Sequence, residues 1–328
     1  MIKTGLTLGK FAPLHRGHQY LIEVALREMD HLIVLIYDAK EVTDVPLTVR
    51  ANWIRKLYPT VEVVEGKDGP INVGYTEEVK RIQERYVLGV LKGRVITHFY
   101  SSEPYGHHMS QALGSVNRMV DIERQKFPIS GTAVRKAAGK YTAFLEPVVY
   151  KDLIINAVFM GAPSTGKTTI AYACAGHFDT ACMPEYGREY WEKFNYKRRL
   201  TAEQLVDLAE GHLLREDKKI MEAKQLLFTD TNAITTFMFS NYYHGYALPA
   251  LTALAKAAET RYQIFFLCDT DIPYDDTWDR SGDMNRKEFQ KQIRSDLEKR
   301  QIPFKMLSGD IAKRLEIVEK ELCAYRRW

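Results

Sequence analysis

Two glycine-bearing loops, about 150 residues apart, dictate what this chain can fold into. The first reads Gly9-Lys10-Phe11-Ala12-Pro13-Leu14-His15-Arg16-Gly17-His18, and the second Gly161-Ala162-Pro163-Ser164-Thr165-Gly166-Lys167-Thr168. Each lies between an apolar run of strand length and a run with helical periodicity. A strand turning through such a loop into a helix opens a parallel α/β sheet, and it gathers backbone N–H groups and a helix N-terminus at one point. Two such openings predict two α/β units, each with its own phosphate site. Two nucleotide sites on one chain suggest two sequential reactions on one metabolite.

The length of 328 residues suits two domains of ordinary size, each able to bury its own core. The net charge of +4 is too small to argue for a nucleic-acid binder, so Lys197-Arg198-Arg199 reads as a solvated face. Cys174, Cys182, Cys268 and Cys323 lack metal-ligand spacing and fit unpaired thiols in a reducing cytoplasm. No apolar run approaches the ~20 residues needed to span a bilayer, and the N-terminus enters a strand without a signal peptide, so membrane insertion is not expected.

Both halves alternate strand and helix signals, which predicts two doubly wound parallel-sheet α/β domains over residues 1–147 and 148–328. In the first, Thr4 to Leu8 reads as a strand and Gly17 to Met29 as a helix with Tyr20, Leu21, Val24, Ala25 and Leu26 on one face. His31 to Tyr37 is a doubly buried strand, Leu47 to Tyr58 a helix stopped by Pro59, Thr76 to Leu91 a longer helix, and Val95 to Ser101 a strand. Leu145 to Lys151 reads as the linker. Strands follow at Leu153 to Met160, Gln225 to Thr229, Ile264 to Cys268 and Pro303 to Leu307, with helices at Ala202 to Ala223 and Ile311 to Tyr325.

The second loop matches the P-loop pattern in full, and the chemistry explains its spacing. Gly161 and Gly166 permit the curvature, and the N–H groups of Ser164, Thr165, Gly166 and Thr169 surround phosphate. Lys167 reaches the β- and γ-phosphates, and Thr168 offers a hydroxyl to Mg²⁺ accompanying ATP. The acidic partner for that metal is expected at the end of a neighbouring strand, where Leu226-Leu227-Phe228-Thr229 runs into Asp230. Asp230 also has the composition of a cap for a helix starting near Asn232. In Glu185-Tyr186-Gly187-Arg188-Glu189, Glu185 suits a proton acceptor or a ribose contact, with Tyr186 and Arg188 beside the substrate. The loop from Asp269 to Arg286 has the composition of a lid: its arginines, Arg280 and Arg286, could close on the transferring phosphoryl group and Trp278 could stack on a flat ring. ATP is favoured over GTP, because no Asn/Thr-Lys-x-Asp signature is present.

In the first loop, His15 and His18 stand where imidazoles can hydrogen-bond nucleotide phosphates, helped by the helix dipole. Ile129-Ser130-Gly131-Thr132-Ala133-Val134-Arg135, about 115 residues on, is a second helix start with two hydroxyls and an arginine. Metal binding or nucleophilic catalysis by the histidines would need distant partners.

His-x-Gly-His after a strand, with Ile-Ser-Gly-Thr-x-x-Arg downstream, resembles the nucleotidyltransferase superfamily. The form Gly-Lys-Phe-x-Pro-x-His-x-Gly-His, followed by a P-loop unit with Glu-Tyr-Gly-Arg-Glu and Asp-Thr-Asn, resembles the NadR family from Thr4 to about Glu321. The resemblance implies an N-terminal Rossmann-like nucleotidyltransferase fused to a C-terminal P-loop kinase. The kinase would phosphorylate nicotinamide riboside with ATP; the other unit would join nicotinamide mononucleotide to ATP, giving NAD and pyrophosphate. By motif, Gly9, Phe11, Gly17, His15 and His18 would hold ATP, and Lys10, Ser130, Thr132 and Arg135 the leaving pyrophosphate. Arg50 would clamp the mononucleotide phosphate, and Tyr75 would stack on nicotinamide where relatives place a tryptophan. With the first strand near residue 4, no helix-turn-helix repressor domain is expected and no direct DNA binding. The oligomeric state stays open, a homo-oligomer included.

Two other readings share these motifs. One is a phosphopantetheine adenylyltransferase fused to a dephospho-coenzyme A kinase, which the Lys10-Phe11 pairing and the Glu185 to Glu189 cluster disfavour. The other is a kinase whose N-terminal unit senses NAD or ATP without turnover.

Overall fold

The computed structural model describes residues 2–70, 74, 76–195, 199–273 and 286–325. The chain divides into two units, one ending at Leu153 and the other running from Ile154 to Tyr325.

The first unit is built on β1 (Thr4–Gly9), α1 (Arg16–Glu28), β2 (His31–Tyr37), α2 (Leu47–Leu57), β3 (Glu62–Gly66) and α3 (Glu77–Leu91). It continues through β4 (His98–Ser101), α4 (Gly106–Leu113), β5 (Val116–Met119), α5 (Gly131–Lys136) and α6 (Pro147–Leu153). The five strands are all parallel, in the order β3-β2-β1-β4-β5. β1 and β2 are the central, fully packed strands, with Leu6, Ile33, Val34, Leu35 and Ile36 buried. Strand order reverses at β1, so the crevice outside its carboxyl end is the place where an open α/β sheet binds its ligand. The stretch expected as a linker is mostly helix: α6 docks on α2, and Asp152 accepts a 2.7 Å bond from the indole of buried Trp53.

The second unit comprises β6 (Ile155–Met160), α7 (Lys167–His177), β7 (Ala181–Met183), α8 (Tyr186–Phe194), α9 (Ala202–Ile220) and β8 (Leu226–Asp230). Then follow α10 (Ala233–His244), α11 (Pro249–Ala258), β9 (Ile264–Cys268), α12 (Arg286–Lys299), β10 (Lys305–Leu307) and α13 (Ile311–Leu322). These strands are also all parallel, ordered β10-β9-β6-β8-β7. β6, β8 and β9 are buried along their whole length, which explains their mostly apolar sequences, with Asn156 and Thr229 bonded to each other inside the sheet. Phe159 stacks with Phe266 at 5.3 Å and with Phe228 at 6.0 Å, an aromatic layer that fixes the strands feeding the second loop. β8 lies directly against β6, so Asp230 ends a strand beside the P-loop strand.

Among the described residues no helix is long and apolar enough to cross a membrane. All four cysteines are free, and burial pushes the Cys174, Cys182 and Cys268 thiols up to about 12.

Candidate functional site

At the end of β1, Gly9 leads into a loop that turns through Phe11, whose φ of 43° is left-handed, and arrives at His15, the N-cap of α1. An imidazole here does the work usually given to Ser or Asp. His15 Nδ1 accepts the His18 N–H, and His18 Nδ1 accepts the His15 N–H, each at 3.4 Å. The two rings stack with centroids 3.7 Å apart, and Phe11 meets His18 edge-on at 5.0 Å. Burial, then the Arg124 charge, holds the His15 pKa down at about 4. Burial, His15 and Arg124 hold His18 well below the usual imidazole value. Both rings are therefore neutral at physiological pH and hydrogen-bond through N–H and lone pair. An anion beside them would favour their protonation.

The fold brings Ser130 to Arg135 onto this loop across more than a hundred residues of sequence. Ser130 caps α5 by accepting the Ala133 N–H at 3.1 Å. Arg135 donates to the Ala12 carbonyl and, at 3.1 Å, to Thr132 Oγ1. A Cβ on Gly17 would lie 3.2 Å from the His15 ring, so the glycine leaves the imidazole its place. Lys10 pairs with Glu41; burial pushes that carboxyl up, but the Lys10 bond, the backbone N–H of Glu41 and the Lys10 charge together bring it below the usual range.

Two expectations change, and one alternative falls away. Arg50 is not a phosphate clamp: it is 1% exposed and donates to the carbonyls of Val45 at 3.1 Å, Tyr37 at 3.0 Å and Lys10. Its guanidinium braces the first loop against the end of β2, because the fold buries its helix face against three orphan carbonyls. Tyr186 is packed away from the phosphate loop: a Cβ on Gly211 would meet its ring at 2.6 Å, and the Arg215 guanidinium covers it at 3.8 Å. Asp230 is not the helix cap; Asn232 is, accepting the N–H groups of Ile234 and Thr235. Tyr75, Trp278 and Arg280 lie outside the described residues.

The second loop wraps as its sequence requires. Gly161 has φ 148°, and a Cβ there would strike Thr165 Oγ1 and the Cys268 carbonyl, so no side chain fits. Thr165 Oγ1 and Lys167 Nζ both donate to the Ala162 carbonyl, at 2.8 and 3.0 Å. Thr168 Oγ1 donates to Asp230 Oδ2 at 2.5 Å. Asp230 is fully buried, and its Oδ1 has no hydrogen-bond partner among the described residues. Burial and the Glu185 charge push its carboxyl up, against the pull of Lys167, the Thr168 bond and Arg188.

A cavity of about 630 Å³ opens beside this loop. Ser164, Gly166, Lys167, Thr168 and Thr169 line one side, and Glu185 and Arg188 another. Sequence reasoning missed several of its walls: Trp191, Phe239 and Tyr243 supply flat aromatic surface, and His212 enters from α9. Two arginines brace the loop: Arg286, expected as a lid arginine, and Arg314, which sequence reasoning missed. Arg286 donates to the Ser164 carbonyl at 2.8 Å; Arg314, 2% exposed, donates to Thr165 O and to Asp271 Oδ1, both at 2.6 Å. Nothing in the local sequence of α13 marks Arg314, since its partners lie 43 and 149 residues away.

Comparison with known proteins agrees with both units. A family described as "Cytidylyltransferase-like" matches residues 6–137, and one described as "AAA domain" matches residues 156–314. The "Trifunctional NAD biosynthesis/regulator protein NadR" of Escherichia coli K12 is 25% identical over 324 residues, covering 92% of this chain and 77% of the relative. The protein of the same description from Salmonella typhimurium LT2 is 26% identical over 325 residues, with the same coverage. A crystal structure of NadR in complex with NAD and AMP-PNP superposes with a TM-score of 0.59 at 19% identity, covering 99% of this chain and 96% of that one. That likeness establishes the shared two-unit fold.

Proposed function

We infer that this chain, homologous to NadR through both of its units, is a bifunctional enzyme of NAD biosynthesis. The C-terminal unit phosphorylates nicotinamide riboside with ATP, and the N-terminal unit joins the resulting nicotinamide mononucleotide to a second ATP, releasing pyrophosphate and NAD. The observation that carries this reading is one chain holding a complete P-loop with its buried carboxylate and a histidine cradle with its arginine, in the NadR order. The free thiols fit work in the cytoplasm.

In the C-terminal cavity, Lys167 and the loop N–H groups hold the ATP phosphates, with Thr169 beside them. Thr168 and Asp230 fit magnesium: both are hard oxygen donors, they face each other, and Asp230 Oδ1 is buried and has no hydrogen-bond partner among the described residues. Bound there, the ion neutralises charge on the phosphates. Glu185, on the cavity wall, accepts the proton of the attacking hydroxyl, and Arg188 meets developing negative charge on the transferring group. In the N-terminal unit the mononucleotide phosphate attacks the α-phosphorus of ATP directly, and no protein nucleophile is required. His15 and His18 orient the phosphates, while Ser130, Thr132 and Arg135 receive the leaving pyrophosphate. Lys10 joins them on release from Glu41.

Separate assays test the two reactions. ATP with nicotinamide riboside should give the mononucleotide, and ATP with the mononucleotide should give NAD and pyrophosphate in equal amounts. Turnover of phosphopantetheine in place of the mononucleotide would overturn the reading.

A further inference from the structure

The helix that begins at Arg286 holds the second loop from behind. α12 buries four residues, Phe289, Gln290, Ile293 and Leu297, and of these Gln290 alone is polar. An amide on a buried helix face is costly unless its groups are bonded. Here both are: Gln290 Oε1 accepts the Ala162 N–H and Gln290 Nε2 donates to the Cys268 carbonyl, each at 2.8 Å. A donor on one side and an acceptor on the other leave the amide a single orientation.

Those two backbone groups lie where the sheet ends. The parallel ladder between β6 and β9 stops at Met160 and Leu267, one residue short of Gly161 and Cys268. There the chain turns away through Gly161, so close to β9 that a Cβ would sit 2.9 Å from the Cys268 carbonyl. The side-chain amide takes the place of the next rung, and the loop leaves the sheet from a fixed point. Ala162 is fully buried, and its carbonyl receives Thr165 Oγ1 at 2.8 Å and Lys167 Nζ at 3.0 Å. One residue is thus held by Gln290 at its N–H and carries the lysine at its carbonyl. Lys167 lines the cavity and Gln290 does not, so any effect of Gln290 on the phosphates runs through Ala162. Arg286, one turn earlier on α12, bonds the Ser164 carbonyl, so the helix grips the loop at two points.

An ammonium on a flexible four-carbon stem is preorganised only if the surface it rests on is rigid. We propose that Gln290 is a positioning residue for phosphoryl transfer: it fixes Ala162, and Ala162 fixes the place of the Lys167 ammonium. The proposal rests on the kinase reading above and extends it to a side chain off the cavity wall. A displacement of about 1 Å, caused from outside the reacting groups, can cost up to about 10²-fold in rate.

The test measures kcat and KM for ATP-dependent phosphorylation of nicotinamide riboside by the full chain. The enzymes are the wild type, Gln290→Met and Gln290→Glu, and Gln290→Met combined with Lys167→Ala. Gln290→Met keeps the length of the side chain and removes both bonds. It should lower kcat by about tenfold, with KM for the riboside little changed. In the Lys167→Ala background the same change should cost less than about twofold, because the group it positions is gone. A loss of equal size in both backgrounds is what a general weakening of the core would give, and it overturns the proposal, as does a Gln290→Met enzyme with wild-type kcat. Gln290→Glu adds a pH signature. The neutral acid accepts with one oxygen and donates with the other, as the amide does, whereas the carboxylate cannot donate to Cys268. Burial favours the neutral form, so kcat relative to wild type at the same pH should rise as the pH falls from about 8.5 to about 6.5. A ratio that does not change with pH overturns the proposal. Gln290→Glu decides the matter if Gln290→Met unfolds; unfolding of both would mark the amide as structural and also overturn it. A wild type that phosphorylates no nucleoside overturns the kinase reading instead.

Discussion

The loop after β1 and the loop after β6 open the same kind of βα unit, yet they meet an anion with different charge. In the second loop the positive charge is a buried ammonium, Lys167, in place over the Ala162 carbonyl, with Thr168 already on Asp230. In the first loop the two groups nearest the helix start are imidazoles held neutral by burial, Arg135 is tied to the Ala12 carbonyl, and Lys10 is paired with Glu41. The difference is that on the proposed function the second loop would meet phosphate with a fixed buried ammonium, and the first, beside Arg135, with imidazoles and a paired lysine whose charge state or partner can change. Phosphoryl transfer to a hydroxyl builds negative charge on the transferring group, which a permanent cation serves. Adenylyl transfer between two phosphates releases pyrophosphate, which then has to leave.

The sharpest break of that contrast is Lys167→Ala. Riboside phosphorylation should fall by about 10³-fold, the upper range for removing one electrostatic group at a transferring phosphate. Adenylation of the mononucleotide should stay within about twofold of wild type, since the group lies in the other unit. Loss of both activities together would show that the two loops do not act separately. The reciprocal change, His18→Ala, should lower adenylation by about 10²-fold, because one neutral hydrogen-bonding group is lost rather than a charge. It should leave phosphorylation intact, and an unchanged adenylation rate would remove the first loop from the chemistry.

Acidification separates the loops again. The folded pKa of His15, about 4, lies below the unfolded value of 6.5. The unfolded chain therefore takes up a proton first, and stability is full above pH 6.5 and falls as the pH drops toward 4. From His15 alone the loss at pH 5 is about 2 kcal/mol. Urea unfolding of wild type and His15→Asn at pH 7 and pH 5 measures it, since Asn keeps the cap while removing the titration. Saturating ATP should shrink the loss, because phosphate favours the protonated ring. A wild type with the same pH slope as the variant would place the proton elsewhere.

How far this contrast was legible in the sequence depends on how local each part is. The loops, the strands before them and Asp230 at the end of β8 were all readable, because a doubly buried parallel strand is a mostly apolar run and a phosphate loop needs glycine. The edge strands β3 and β5 were not: Glu62-Val-Val-Glu-Gly and Val116-Asn-Arg-Met are short, half-exposed and polar, so neither periodicity nor hydrophobicity marks them. Arg50 shows why roles fare worse than elements. Its place on a helix after the second strand suits either a ligand contact or a brace, and only the three carbonyls gathered around it decide. Likewise His212 sits in a helix whose inner face reads as core, while buried Glu216 on the same helix is tied down by residues 45 to 60 positions away in sequence. Long-range polar partnerships leave no periodic trace.

The smallest expected effect is the one that sharpens the comparison most finely. If Lys10 is the mobile cation of the first loop, ATP has to draw it from Glu41 before using it, and part of the binding energy is spent on that exchange. The pair is about one-third exposed on each side, so its worth is that of a surface ion pair, about 0.2–1 kcal/mol. Glu41→Gln should therefore tighten ATP binding to the N-terminal unit by about one-and-a-half to fivefold, seen as a lower KM for ATP in the adenylation assay, with kcat little changed. The gain should shrink with added salt, which screens the original pair. In a Lys10→Met background the gain should vanish, because with no ammonium to release, the Glu41→Gln change removes only a solvated charge. A Glu41→Gln enzyme that binds ATP more weakly would mean instead that the carboxylate holds Lys10 in the position from which it contacts phosphate, and the first loop would then be as preformed as the second.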